Sequence, residues 1–167
     1  MPNPTSNPPD GSAVRVVLDT NVVLDLLVFG DVRAQPLREA LQAGRLLAIT
    51  SDATLFELED VLGRAFVAPW GIPGELVLAS LRGWGETVAG AGVSPAPPAP
   101  RCRDADDQKF IDLAVATGAR WLISHDRALL ALAKRARLRG LEILTPQAWA
   151  ASHGGSSADA TKDLSLK

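Results

Sequence analysis

Carboxylates dominate the residues of this sequence that could do chemistry. Asp19 directly follows the β-branched run Val14–Leu18 (VRVVL), and Asp126 follows the run WLISH. If both runs are strands of one parallel sheet, their carboxyl ends open on the same edge and the two carboxylates can approach each other. Either aspartate alone also suits the N-cap of a following helix. It is the coincidence at two strand ends that points to a site. Asp104, Asp106 and Asp107 open a helix expected over 105–117, where acidic residues gain roughly 0.3–1 kcal/mol each from the helix dipole. Asp107 differs from its neighbours, because it precedes Phe110, Ile111 and Ala114 by three, four and seven residues and so shares their core-facing stripe. An inward carboxylate is costly unless paired or metal-bound, and the chain offers it no obvious partner except a cation. Asp112 falls off that stripe and is expected in solvent. In a helix over 51–66, Asp60 lies opposite the apolar stripe, while Glu57 and Glu59 flank it and spacing does not choose between them.

The cation can be narrowed. A single cysteine, Cys102, and two histidines, His125 and His153, exclude a disulfide framework within the chain and a multi-cysteine zinc site. Carboxylate oxygens suit hard ions such as Mg2+ or Mn2+.

The elements that must position these residues alternate along the chain. Strands are expected at Val14–Leu18, Leu46–Thr50, Trp121–Ser124 and Leu141–Leu144. Helices are expected over 20–29, 33–43 (ended by Gly44), 51–66 (capped by Ser51), 74–89, 105–117 (capped by Asp104, ended by Gly118) and 127–137, with a last short one opened by Pro146. Strands separated by helices pair in parallel through right-handed crossovers. The expected fold is a three-layer α/β/α sandwich around a mainly parallel sheet of four to five strands, spanning 14–150. Residues 1–13, rich in proline, and 151–167, small and polar, are expected to be flexible tails. Residues 91–100 form a proline-rich loop.

The 167 residues are 47% hydrophobic, which excludes wholesale disorder. No signal peptide and no 18-residue apolar run is visible, so a soluble, cytoplasmic protein without a membrane partner is expected. The formal net charge of −2 argues on its face against a protein that grips nucleic acid by bulk charge. The charge is not evenly shared along the chain. Residues 14–150 hold 15 basic and 16 acidic side chains, and several of the latter belong to the group of carboxylates just described.

Three segments, VVLDTNVVLD, TSDATLFELEDVL and RDADDQKFIDLAVATGARWLISHDRALL, together resemble the PIN-domain family over about 14–149. They are most similar to its branch of toxin components of toxin–antitoxin systems, the VapC-like ribonucleases. The resemblance implies an endoribonuclease using one or two Mg2+ or Mn2+ ions. It implies four acidic catalytic and metal-binding residues: Asp19, Glu57 in the pattern E-L-x-x-V-L, Asp107 in D-x-x-D-x-x-F, and Asp126 in the turn Ser124-His125-Asp126, where the family has T-x-D. Glu57 is thus chosen over Glu59 by resemblance, and Asp106 is the rival of Asp107. Asn21 would orient the Asp19 carboxylate, with Asp104 and Ser124 in support. The implied partners are an RNA substrate, a cognate antitoxin and a second copy of the chain. A housekeeping RNA-processing nuclease, and a PIN-like domain that binds RNA or protein without cutting, are the alternatives within this fold. Haloacid-dehalogenase-type phosphatases also use an aspartate after the first strand, but their second aspartate is Asn21 here.

A cation at the acidic group would lower the pKa of a water and neutralise charge on a phosphate. Arg103 and Arg127 beside the site, and Lys134, Arg135, Arg137 and Arg139 in and after the following helix, are expected to hold RNA phosphates. Arg101 precedes the acidic helix and joins them. Trp70, Trp84, Trp121 and Trp149 are expected in the core or at a dimer interface.

Overall fold

The computed structural model describes residues 12–89 and 94–154. Most of both expected tails, and residues 90–93 of the proline-rich loop, lie outside the described residues. Strands β1 (Val14–Leu18), β2 (Leu46–Ser51), β3 (Gly85–Val88), β4 (Trp121–Ile123) and β5 (Glu142–Leu144) form one sheet in the order β3-β2-β1-β4-β5. All four pairings are parallel.

The helices are α1 (Thr20–Leu24), α2 (Gln35–Gln42), α3 (Asp52–Leu62), α4 (Gly74–Gly83), α5 (Gln108–Ala116), α6 (Arg127–Leu130), α7 (Ala133–Arg137) and α8 (Pro146–His153). Alternation along each strand divides the interior into two layers. Val16, Leu18, Ala48, Trp121 and Ile123 face a core shared with α1–α4 and α8. Val17, Ile49 and Leu122 face the opposite core with Phe110, Ile111 and Leu113 of α5 and Leu129 of α6. The molecule is therefore an α/β/α sandwich with a wholly parallel five-stranded sheet.

Several sequence expectations need correction. Residues 85–88 continue no helix. Helix α4 stops at Gly83, the Trp84 carbonyl accepts from the Ala48 amide (3.0 Å), and Gly85–Val88 pairs with β2 as an edge strand. The run expected as one helix over 20–29 is α-helical only to Leu24 and widens to a π-helical turn at Asp25–Phe29, ended by Gly30 in the left-handed region. The segment 127–137 is broken into α6 and α7. The helix expected over 51–66 ends at Leu62, although its cap is as expected: the Ser51 and Thr54 side chains bond each other's backbone amides reciprocally. The 105–117 and 33–43 helices each begin with a 3₁₀ turn, Ala105–Asp107 and Val32–Ala34.

Trp121 and Trp149 are buried and packed edge to face, as core residues. Trp70 is about half exposed and leans on Phe29. No helix among the described residues is long and apolar enough to cross a membrane.

Candidate active site

The sheet order places β1 beside β4 at the centre, with Leu18 in register with Ile123. The Asp19 amide still donates to the Ile123 carbonyl (3.0 Å) as the two strands end, so Asp19 and the Ser124–Asp126 turn meet at the carboxyl edge. Asp19 occupies the N-cap position of α1 but makes no side-chain cap bond. Its buried carboxylate instead accepts from the Ser124 hydroxyl (2.6 Å), and that hydroxyl accepts from the Asp126 amide (2.9 Å). Ser124, wholly buried, thus ties the two acidic residues together. Asp126 does cap its helix, through Oδ1 to the amides of Ala128 (2.7 Å) and Leu129 (3.3 Å).

Burial holds the Asp19 carboxyl above the ordinary carboxylate value against the opposing Ser124 bond, and the charges of Glu57 and Asp126 add to the rise. Replacing Ser124 with alanine strips Asp19 of this donor and leaves the Asp126 amide unpaired. Chemical denaturation of Ser124→Ala is expected to show a loss of about 1–3 kcal/mol.

Glu57 reaches the same edge from α3. Its Oε1 accepts from Thr20 Oγ1 (2.8 Å), and its Oε2 is paired with the Lys109 ammonium. Glu59 and Asp60 are exposed, and Asp60 pairs with Arg64 (2.8 Å).

Asp107 closes the 3₁₀ turn that leads into α5. It is half-buried, whereas Asp104 and Asp106 are exposed. Asp104 caps the turn through the Asp106 amide (3.0 Å), and the Asp106 carbonyl accepts from Lys109 Nζ (2.7 Å). Asp107 Oδ2 is buried without a hydrogen-bond partner. Its carboxyl is pushed up to about 7, first by burial and then by the charges of Asp126, Asp19, Asp104 and Glu57. The four carboxylates therefore act on one another electrostatically, and the group carries more negative charge than the protein neutralises.

This is the chemistry that a hard divalent cation fits: oxygen donors only, one of them buried and unpaired, with a lysine ammonium already drawn to Glu57. Among the described residues, no three His, Cys, Asp or Glu side chains are gathered closely enough to hold a metal ion. The donor set suits a cation, and the side chains stand apart from ligating distance.

Other expected contributors fall in different places. Asn21 borders the site but makes no hydrogen bond to Asp19; the orienting donor is Ser124. An open groove of about 700 Å³ runs past Asn21, Asp104, His125 and Asp126, with Arg103 and Arg127 on its walls. Lys134, Arg135 and Arg137 are exposed on α7 and do not line it. Arg139 is half-buried and committed elsewhere, its guanidinium donating to the carbonyls of Pro98 (2.8 Å) and Pro97 (2.9 Å). Asp112, expected in solvent, is half-buried and accepts from Gln108 (3.0 Å). Lys109 and Thr20 were not singled out by sequence, nor was the pairing of His125 with Asp25 (2.9 Å) at the π-helical turn. The one available signal for Lys109 was its place a half-turn after Asp107.

The sequence model of the family described as PIN domain matches residues 15–128, which hold all four carboxylates. This chain belongs to the PIN domain family. PIN domains are generally nucleases, and they typically use divalent metals. Among solved structures, this PIN domain is similar to one titled "Crystal structure of PAE2754 from Pyrobaculum aerophilum", at 18% identity and a TM-score of 0.42, over 86% of this chain and 92% of that one. A search of curated proteins gives no match.

Proposed function

We propose that this PIN domain is a Mg2+- or Mn2+-dependent endoribonuclease that hydrolyses RNA phosphodiester bonds. The observation that carries the reading is the buried, unpartnered Oδ2 of Asp107, facing a group of carboxylates that includes Asp19 at the strand edge. Asp19, Glu57, Asp107 and Asp126 would hold one or two ions. When bound, such an ion neutralises charge on the phosphate and makes a water acidic enough to attack near neutral pH.

The protein's own groups prepare this. Ser124 fixes the Asp19 carboxylate through Oδ2, and the Thr20 backbone amide adds a second donor to it. Asp126 commits Oδ1 to the α6 amides, which orients Oδ2. Thr20 holds Glu57 on one oxygen, and Lys109 balances the charge on the other. Arg103 and Arg127 on the groove walls supply cations for phosphates flanking the cleaved bond.

The resemblance supports a narrower role, the toxin of a type II toxin–antitoxin pair, with a cognate antitoxin and a second copy of the chain as partners. Exposed Phe56 and Leu76, on the neighbouring helices α3 and α4, offer apolar surface for such contacts.

The direct test is incubation of labelled single-stranded RNA with the purified protein in Mg2+, Mn2+ or chelator. Metal-dependent internal cleavage is expected, together with a rise in melting temperature on adding Mn2+. Intact RNA and an unchanged melt in all three conditions would sink the reading.

A further inference from the structure

The groove that runs past Asp126 and Asp104 has a neighbour. Arg103 and Ala105 line it, and they also line a second cavity of about 540 Å³ beyond the Asp104–Asp107 turn. Arg103 and Ala105 are thus the border between the two spaces. The second is walled on one side by the proline-rich segment, including Pro95 and Pro98, and on the other by the start of α5.

That wall is held at both ends. Arg139 grips the Pro97 and Pro98 carbonyls, as described above. Gln108 accepts from the Cys102 amide (2.7 Å) and donates to the Pro100 carbonyl (3.2 Å) and to Asp112. These bonds join a segment of poor hydrogen-bonding capacity to two separate helical regions. Proline lacks the N–H that would otherwise knit it to its surroundings, so the fixing comes from side chains that meet its carbonyls.

Within the wall, Cys102 is buried while Arg101 and Arg103 are exposed on either side of it. Neither guanidinium has a hydrogen-bond or ion-pair partner among the described residues. Two residues apart, the pair makes a short charged edge along the cavity. Guanidinium forks match phosphate oxygens, and the Pro95 and Pro98 rings add apolar surface beside them. A positively charged groove that tracks the backbone is one component of single-strand binding sites, and here prolines take the place where such sites carry aromatic rings. Asp112, the acidic group on the opposite wall in α5, is engaged by Gln108.

We infer that this second cavity is a nucleotide subsite, which grips the RNA strand on one side of the cleaved bond with Arg101 and Arg103 on phosphates and Pro95 and Pro98 against a base. The inference rests on the ribonuclease reading and gives the strand a path: from Arg127, past the carboxylates, over Arg103 and under the proline-rich wall.

The test compares Arg101→Ala/Arg103→Ala with the unsubstituted arginines, both in an Asp19→Asn background that leaves RNA uncut. Binding of a fluorescent twelve-nucleotide single-stranded RNA is followed by anisotropy in Mg2+ at several salt concentrations. The double substitution is expected to weaken binding roughly tenfold and to flatten the slope of log affinity against log salt by about 1.4, the loss of two single-strand phosphate contacts. A parallel Mn2+ melt of the double variant with Asp19 intact is expected to match that of the unsubstituted protein, showing fold and acidic group undisturbed. Equal affinity and equal slope with and without the two arginines overturn the subsite and leave the ribonuclease reading standing. Failure of the unsubstituted protein to cut or bind RNA at all overturns both.

Discussion

Asp19→Asn and Asp107→Asn are each expected to reduce metal-dependent RNA cleavage by at least about 100-fold while leaving the circular dichroism spectrum and a cooperative melt intact. Groups that merely support a metal ligand are worth roughly 10–100-fold in metal affinity or activity, and a ligand itself should exceed them. Asparagine keeps the shape of each side chain and its capacity to accept from Ser124 or solvent, so the change is one of charge. Full activity in both purified variants would remove these residues from the chemistry.

The same substitution at Asp107 has a second, independent readout. Its carboxyl stands near 7 in the folded chain and near 3.8 when free of its surroundings. Between those values the folded state keeps a proton that the unfolded state has released, so metal-free stability falls as pH rises across this window. Asparagine carries no titrating proton. Urea midpoints without metal at pH 4.5 and 7.5 are therefore expected to drop less in Asp107→Asn than in the parent. Divalent cation added at pH 7.5 should stabilise the parent more than the variant, because the ion replaces the lost proton. An identical pH dependence in the two proteins would show that Asp107 does not feel its neighbours.

The largest expected effect on stability lies at Gly85. A Cβ built there falls on the Ala48 carbonyl, 2.5 Å from its carbon and 2.7 Å from the Ala48 nitrogen, all main chain of β2. Backbone cannot swing aside as a side-chain tip can, so β3 must separate from β2. Its pairing from Ala48–Gly85 to Ser51–Val88 goes with it, as does the contact between the Thr50 and Thr87 hydroxyls (3.0 Å). Gly85→Ala is expected to cost on the order of 3 kcal/mol, or roughly 10 °C in melting temperature for a chain of this size. Gly83, two residues earlier at the end of α4, has nothing within 4 Å of the same built atom. Gly83→Ala is expected to be neutral or to stabilise by up to about 1 kcal/mol, through reduced freedom of the unfolded chain. Opposite signs two residues apart separate a steric demand from a general dislike of change in this segment. Equal melts for the two variants would discard it.

Gly85 also explains what the sequence conceals. Four strands are visible as runs of apolar or β-branched residues, because their side chains pack into the cores on the two faces of the sheet. β3 is a short edge strand that begins with glycine and carries Glu86, so its composition speaks for a helix tail or a loop; its identity comes from the close approach to Ala48. Asp107 could be read from its stripe, since position on a helix face follows from spacing alone. The same reading left it no obvious partner except a cation, and its Oδ2 is indeed buried and unbonded. The link from Ser124 to Asp19 spans 105 positions, and the Arg139 bonds to Pro97 and Pro98 span more than 40. Long-range pairings of this kind leave no local signature. That is why Arg139 reads as a surface cation and Asn21, the near neighbour, as the residue orienting Asp19.

The central place of β1 between β2 and β4 bears on how the protein is made. Asp19 and Glu57 leave the ribosome early, but β4 and the Ser124–Asp126 turn follow only after more than a hundred residues. The strand that completes the acidic edge must then find β1 across that separation, a non-local pairing of the kind that forms slowly. A nascent chain halted before residue 107 holds only half of the carboxylates and no serine to align Asp19. Whatever the edge acts upon, it is assembled only after β4 has been translated and has paired with β1, so no shorter nascent segment carries a working copy of it.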